Sequence, residues 1–508
     1  MMIYLAEVTA YNLNTSSVET LRFCSGTGYI DNATGNYYEP HIEQPALIRR
    51  EIFADGQIGG AAQSSYGEMT LVNSDGGLDY LAHYAVDGRD MIIKVGDDTA
   101  AYSSFVTVLK GIMEQIALEW ERASFRLRDR MTALTKPLQT SVYAGSNALP
   151  NGLEGAAELK DTPKPLFYGR VHNIAPMLVN SSRLIYQITT GTLAEVVNVF
   201  DKGSYLGRGA DYASQADMEA NAPSAGYFRV WKAGGLFRLG SPSAGQITCV
   251  AWQSSAIEDC TAAQIAYDLA TGPGGISSGD TVAADYTTLD GQNAGSVGLW
   301  VTDGMTVSEA LDQVCASVGA WWGFDQLGRF RVSRFDAPSG SPVATLTDIE
   351  ILNIEREVAS LNGLAVPAWQ ITLTYDINHT VQSGDVLAGV VPADRRNWLE
   401  KPSRQTIARD ASVKTAHLLA QEVNYETLLT GVGNAAPEAD RRLGLFKVER
   451  EIYNIEARVN AELLAALDLG VVVFVQIARF ELDLGKLLRV IGLESNYQNN
   501  SVNLRVWG

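Results

Sequence analysis

The sequence predicts a mainly β protein with small α+β parts, divided into several domains. Three observations carry that expectation. Period-two alternation of apolar and polar residues recurs near both ends of the chain, and clusters of Gly, Asn and Asp punctuate it. The length of 508 residues exceeds what one core organises. A hydrophobic content of 46% suffices for several cores, while 47 Gly and 21 Tyr with only 19% charged residues favour strands and turns over long helices.

The first domain is expected over residues 1–130. A strand from Ile3 to Ala10 ties the beginning of the sequence into a sheet. Met69 and Leu71 lead to the turn Asn73-Ser-Asp-Gly-Gly77, and Met91 to Val95 follows as a mostly apolar strand. After Gly111-Ile112-Met113 the alternation is strict. Ile116, Leu118 and Trp120 point one way against Ala117, Glu119 and Glu121, then Phe125 and Leu127 against Arg126 and Arg128. The end of the chain echoes this order. Val471 to Val475, a turn at Asp483-Leu484-Gly485, Leu487 to Ile491, the step Gly492-Leu493 and a last strand with Val502, Leu504 and Val506 make a weak repeat of pattern, not of identity.

Between these modules, Pro137, Pro150, Gly152 and Pro163-Lys-Pro165 mark a linker opening a β-rich domain over 131–244. Leu166 to Val179 and Arg183 to Ile188 read as a strand pair, with Pro176 forcing an edge or a break. Val196 to Phe200 adds a strand, and Tyr227 to Trp231 with Leu236 to Leu239 reads as a hairpin. A small α+β domain is expected over 245–345. Thr261 to Gln264 and Thr306 to Glu309 have capping-box spacing; the second helix buries Val307, Ala310, Leu311, Val314 and Val318 and runs into Trp321-Trp322. The C-terminal β domain, 346–508, holds a strand at Ile371 to Tyr375. It also holds two helical patches, Ala411 to Leu429 and Ala436 to Phe446, with Pro437 in the first turn of the second.

A net charge of −19 argues against broad binding to nucleic acid, which needs clustered Lys and Arg to displace counterions. An acidic surface repels DNA, a useful property where DNA must slide past. The cysteines Cys24, Cys249, Cys260 and Cys315 show no C-x-x-C spacing and read as free thiols of a reducing compartment. No signal-peptide pattern opens the sequence, and no run reaches the roughly 20 apolar residues of a membrane span, so a soluble, cytoplasmically made protein is expected.

Catalytic signals are sparse, and no P-loop or H-E-x-x-H occurs. Gly275-Ile-Ser-Ser-Gly279 matches a nucleophile elbow in letters only, since Gly272-Pro273-Gly274 precedes it where a strand is required. His41, His83, His172, His379 and His417 are scattered. Asp75, Asp79, Asp87 and Asp90 lie among glycines but off the spacing of a calcium loop, and turn formation is the favoured reading. Glu119/Glu121 and Glu438/Asp440 invite a glycosidase or wall hydrolase, a role that needs a separation only the fold supplies. One tryptophan of Trp321-Trp322 is expected in a core and the other at an interface. Arg122, Arg126, Arg128 and Arg130 alternate with acids and read as a mixed solvated face. No catalytic, cofactor-binding or metal-binding residue is assigned, and no cofactor is expected.

Several stretches taken together carry a resemblance. They are Gly67-Glu-Met-Thr-Leu-Val-Asn-Ser-Asp-Gly-Gly-Leu-Asp79, Tyr84-Ala-Val-Asp-Gly-Arg89, Lys164-Pro-Leu-Phe-Tyr-Gly-Arg-Val-His-Asn173, the Thr306 helix with Trp321-Trp322 and Gly328-Arg-Phe-Arg-Val332, Tyr375-Asp-Ile-Asn-His-Thr-Val-Gln382, and Val490-Ile-Gly-Leu-Glu494. The series resembles the tail-tip (baseplate) hub proteins of long non-contractile-tailed bacteriophages and related prophage and gene-transfer particles. The resemblance implies a structural, non-enzymatic virion protein with tail-tube-like β-barrel domains near both ends, assembled in the host cytoplasm. It implies a homo-oligomer, a trimer by preference, in a ring below the tail tube. Its partners would be the tube or distal tail ring, tip and fibre proteins and the tape measure, with DNA in transient passage. A six-fold adaptor, a host-attachment protein and a wall hydrolase are the rivals.

Overall fold

Alternating apolar residues place Met2–Asn12 in a strand, β1, and a tight turn returns the chain as β2 (Ser17–Cys24). These strands belong to a computed structural model that describes residues 1–46, 48–52, 60–357, 367–496 and 499–508. The chain continues through β3 (Ile42–Gln44), β4 (Ile48–Glu51), β5 (Gln63–Tyr66) and β6 (Glu68–Val72). It then forms a meander of β7 (Asp90–Asp97), β8 (Val106–Leu118) and β9 (Arg122–Arg128). The first sheet runs β2-β1-β7-β8-β9-β6-β3. Glu39 exchanges backbone hydrogen bonds with Arg22 and Cys24 of β2, while the His41 carbonyl accepts from Val72 of β6. One short segment therefore touches both edges, and the sheet curls around Val8, Met69, Met91, Ile93, Phe125 and Leu127.

β4 and β5 do not join this sheet. β4 pairs antiparallel with the far end of the chain, Ile48 opposite Ser495 and Glu51 opposite Gly492, and β5 pairs with β4.

In the middle of the chain, β10 (Leu166–Ile174), β11 (Glu195–Asp201) and β12 (Ile247–Trp252) share one sheet. A second sheet, Met177–Asn180, Ile185–Gln187, Leu236–Leu239 and Tyr227–Trp231, packs on it over Phe167, Val171, Phe228 and Phe237. Pro176 sits at the break between β10 and Met177, and Tyr227–Trp231 pairs with Leu236–Leu239 as the turn at Gly234-Gly235 requires.

The helical unit comprises α1 (Ala262–Thr271), α2 (Ala283–Gln292), β13 (Gly298–Val301), α3 (Val307–Ser317), β14 (Ala320–Phe324) and β15 (Phe330–Arg334). Thr306 and Glu309 form the full reciprocal capping box; Thr261 accepts from the Gln264 amide, but the Gln264 side chain turns to Asp290 instead. Trp321 and Trp322 are both buried, so neither is a surface interface residue. They point to opposite faces of β14. Trp322 enters the helical core, where its Nε1 donates to Asp312, while Trp321 enters the core of the last module.

That last module contains β16 (Ile351–Glu357), β17 (Ala368–Tyr375), β18 (Arg404–Arg409), β19 (Gln421–Glu426), α4 (Val432–Phe446), β20 (Ile452–Arg458), β21 (Val472–Val475), β22 (Lys486–Asn496) and β23 (Ser501–Trp507). The predicted helix over Ala411 to Leu429 is not formed. Only Val413–Ala416 makes a helical turn, and the rest supplies β19, pulled into parallel pairing with β17. α4 begins at Val432, a turn earlier than expected, which puts Pro437 in its second turn. β21-β22-β23 is a meander like β7-β8-β9. Each has a long central strand with a glycine, Gly111 or Gly492, and a bulge beside it. A Cβ on Gly111 would meet Leu127 at 2.9 Å and one on Gly492 would meet Arg505 at 3.0 Å, so both glycines serve close strand approach.

Arg50 of β4 is 2% exposed. Its Nη1 donates to Asp468 at 2.6 Å and to the Phe324 carbonyl at 3.4 Å, joining β4, β14 and the last module. Asp468→Ala removes the carboxylate paired with a buried guanidinium, and should cost about 3 kcal/mol of stability. A lowered denaturant midpoint at unchanged slope would show it; an unchanged midpoint would remove this pair from the account of how the ends are joined.

Candidate interaction surfaces

The insertion of β4 and β5 completes a broad polar trough. Strands β16, β20, β23, β22, β4 and β5 lie side by side, and their outward positions carry Glu355 and Glu357, Glu456, Arg505, Glu494, then Arg49 and Glu51. The trough encloses about 680 Å³ and is open to solvent. Alternation explains its composition: Tyr453, Ile455 and Ala457 face the core, so Asn454 and Glu456 face out. Five carboxylates face two guanidinium groups. Arg505 holds Glu357 at 2.8 Å and Arg49 holds Glu51 at 2.6 Å, leaving Glu355, Glu456 and Glu494 to set a negative potential.

In the first module, the β8–β9 hairpin reaches past β7, whose pairing ends with Asp90 opposite Ile112. Among the described residues no strand lies beside it there, and the apolar side of the alternation is open. Leu118 is 39% and Trp120 92% exposed. The arginines of β9 and the turn after it are divided among different tasks. Arg122 makes a two-pronged pair with Glu43, Arg130 donates to the Gly328 carbonyl, and Arg126 lies opposite Glu68.

The catalytic candidates of the sequence fall into structural roles. Ser277 precedes a single 3-10 turn and accepts from the Gly279 amide, without the strand-turn-helix context of a nucleophile elbow. Asp75 accepts from the Gly77 amide and Asp79 from the Asn73 side chain, as turn-formers do. Glu119 and Glu121 flank the exposed hairpin tip. Glu438 is buried on α4 between Arg441 and Arg442, at 2.6 and 2.7 Å. Burial pushes its carboxyl up, but the hydrogen bonds and charges of the two arginines outweigh burial and hold it below the usual range. That is the reverse of what a general acid needs. Arg442 also donates to the Ala316 and Ser317 carbonyls at the end of α3, and Arg441 to Phe335 and Asp336, so Glu438 anchors α4 to the helical unit. Among the described residues no three His, Cys, Asp or Glu converge as metal ligands, and Cys24, Cys249, Cys260 and Cys315 are all buried free thiols.

The fold does bring His172 and His379 together, which the sequence did not signal. His172 Nδ1 donates to Asp376 at 2.6 Å, and Trp398 Nε1 donates to the other oxygen of Asp376 at 2.8 Å. The Asn173 side chain donates to Asn378 and to the Thr380 carbonyl. Residues 376–404 are thereby clamped on the middle sandwich. Burial, helped by the neighbouring His172, pushes His379 from its ordinary 6.5 down to about 4.

No protein-family model matches the chain, and no curated protein matches it. Among solved structures it is similar to a tail protein from Neisseria meningitidis MC58, at 12% identity and a TM-score of 0.42, over 94% of this chain and 95% of that one. It is similar also to the 43 kDa tail protein of prophage MuSo2 from Shewanella oneidensis, at 9% identity and a TM-score of 0.37, over 93% and 94%. A third similar chain comes from the virion of a native gene transfer agent particle, at 14% identity and a TM-score of 0.43, over 73% of this chain and 86% of that one.

The depressed His379 makes stability pH-dependent. An unfolded chain protonates this histidine near 6.5 and the folded chain only near 4, so unfolding takes up a proton between those values. Its contribution is complete above 6.5 and is lost as the pH falls toward 4. Denaturant midpoints measured from pH 7 to 4 should fall, and His379→Gln should flatten the fall within that window. Parallel pH curves for the two proteins would contradict the assignment.

Proposed function

We propose that the chain is a structural, non-enzymatic component of a bacteriophage tail tip or baseplate. In this reading it is a hub that forms a ring below the tail tube, lines the DNA channel and anchors neighbouring tip or fibre proteins. The observation that carries the reading is the pair of like-built β meanders, one near each end, tied into one body by the strand that crosses between them. A subunit with two such modules, repeated three times, presents six to a six-fold tube. The sequence resemblance to tail-tip hubs supports the same reading.

The acidic trough supplies the channel wall. Phosphates passing over Glu355, Glu456 and Glu494 meet repulsion and no counterion-releasing cluster, so DNA slides without sticking. The subunits act in the virion, after assembly in the host cytoplasm, with partners drawn from the tube or distal tail ring, the tip and fibre proteins and the tape measure. Residues 1–130, 131–244, 245–345 and 346–508 are the proposed domains, the last completed by β4 and β5.

Light scattering on the purified chain, alone and with tail-tube protein, tests the ring. A trimer, or a monomer that enters a ring only with the tube protein, is expected; a monomer indifferent to tail components overturns the reading. Particles carrying Glu355→Lys, Glu456→Lys and Glu494→Lys together should assemble yet release DNA several-fold more slowly. Unchanged release would move the channel wall elsewhere on the molecule.

A further inference from the structure

The small sheet β18-β17-β19 has two outer strands of opposite charge. β17 is its central strand, antiparallel to β18 and parallel to β19. Among the described residues, neither outer strand gives or takes a ladder hydrogen bond beyond β17. α4 covers one face through Ile371, Leu373, Ala408, Leu443 and Phe446. Among the described residues no further strand pairs with either edge. β18 reads Arg404-Gln-Thr-Ile-Ala-Arg409, with two positive charges and no negative one; β19 reads Gln421-Glu-Val-Asn-Tyr-Glu426, with two negative and no positive.

We infer that β19 of one copy pairs edge to edge with β18 of the next, so that this sheet continues from subunit to subunit. Like charges on both edges would repel every approach, which is how isolated edges are guarded. Opposite charges instead disfavour β18 on β18 and β19 on β19, and admit only the head-to-tail contact. Such a contact is heterologous and closes into a ring when the rotation allows. Register supports it. Gln370 of β17 faces Arg409 on one side and Glu422 on the other, and Thr372 faces Ile407 and Asn424. Continuing these rows sets Glu422 beside the partner's Arg409 and Asn424 beside the partner's Ile407, with β19 antiparallel to the incoming strand. Arg409 has no ion-pair partner among the described residues, and Ile407 is 47% exposed. Leu418 and Leu419, 89% and 77% exposed just before β19, form an adjacent apolar pair at the mouth of the same edge. The inference rests on the proposed ring for the expectation that copies meet, and adds which strands meet.

The test is assembly of the full chain by sedimentation with tail-tube protein present, for the wild type, Glu422→Arg, Arg409→Glu and the two combined. Each single reversal should weaken association about tenfold, and the double variant, which restores opposite charges with the signs exchanged, should recover it. Both positions are exposed, so melting temperatures should stay near that of the wild type and exclude misfolding as the cause. As a second measurement, a chain carrying Arg409→Cys and Glu422→Cys should form a ladder of disulfide-linked copies on oxidation, since the four native thiols are buried. Association that ignores both reversals, or cysteines that link the chain to tail-tube protein and never to another copy, overturns the edge pairing while the ring reading stands. A wild-type chain that fails to assemble even with tube protein present overturns both.

Discussion

Everything at the far end of the molecule depends on β4 being where it is. Backbone pairing of Ile48–Glu51 with Gly492–Ser495 supplies the ladder, and the Arg50–Asp468 pair fixes the strand against sliding. A one-residue slip would turn Ile48 and Arg50 outward and Arg49 inward, exchanging the faces of the strand. Without β4 the polar trough loses a wall, β5 loses the one strand it pairs with among the described residues, and β22 exposes half an edge. The two β modules would then keep the Leu464 packing and the Tyr4–Asn500 hydrogen bond between them, with no shared ladder among the described residues.

Charged groups inside this protein fix position more than they add stability. Glu438 with Arg441 and Arg442, and Asp376 with His172 and Trp398, sit where separate units meet. A buried pair of this kind gains little net energy over apolar packing but is costly to break. The stability itself comes from the cores, where each fully buried Leu or Phe contributes roughly 2 kcal/mol. Trp321 and Trp322 show the division of labour on two adjacent residues, because a strand's alternation sends each ring into a different core.

What was legible in the sequence was local. Both meanders, the hairpin at Gly234-Gly235, the full capping box at Thr306 and the break at Pro176 follow from spacing and turn chemistry within a dozen residues. The trough was not legible, because Arg49 and Glu51 meet Glu494 and Arg505 only across the whole chain. His172 and Asp376 were invisible as a pair for the same reason. The stretch Ala411 to Leu429 was misread because pairing with β17 overrides a weak helical tendency, and the exposure of Trp120 was not legible because alternation reveals that faces differ but not which one is covered.

The crossing strand has a consequence for how the protein is made. β4 leaves the ribosome early, while its partner on β22 lies about 440 residues downstream, roughly 20–90 s later at ordinary elongation rates. During that delay β4 and β5 are a hairpin without its C-terminal ladder and with Arg50 uncovered, attached to a first module that can already close around Ile48. The last module cannot finish vectorially and must wait for its oldest strand to be handed back. Translation speed and chaperone occupancy, rather than intrinsic stability, would then set the yield of correctly joined subunits.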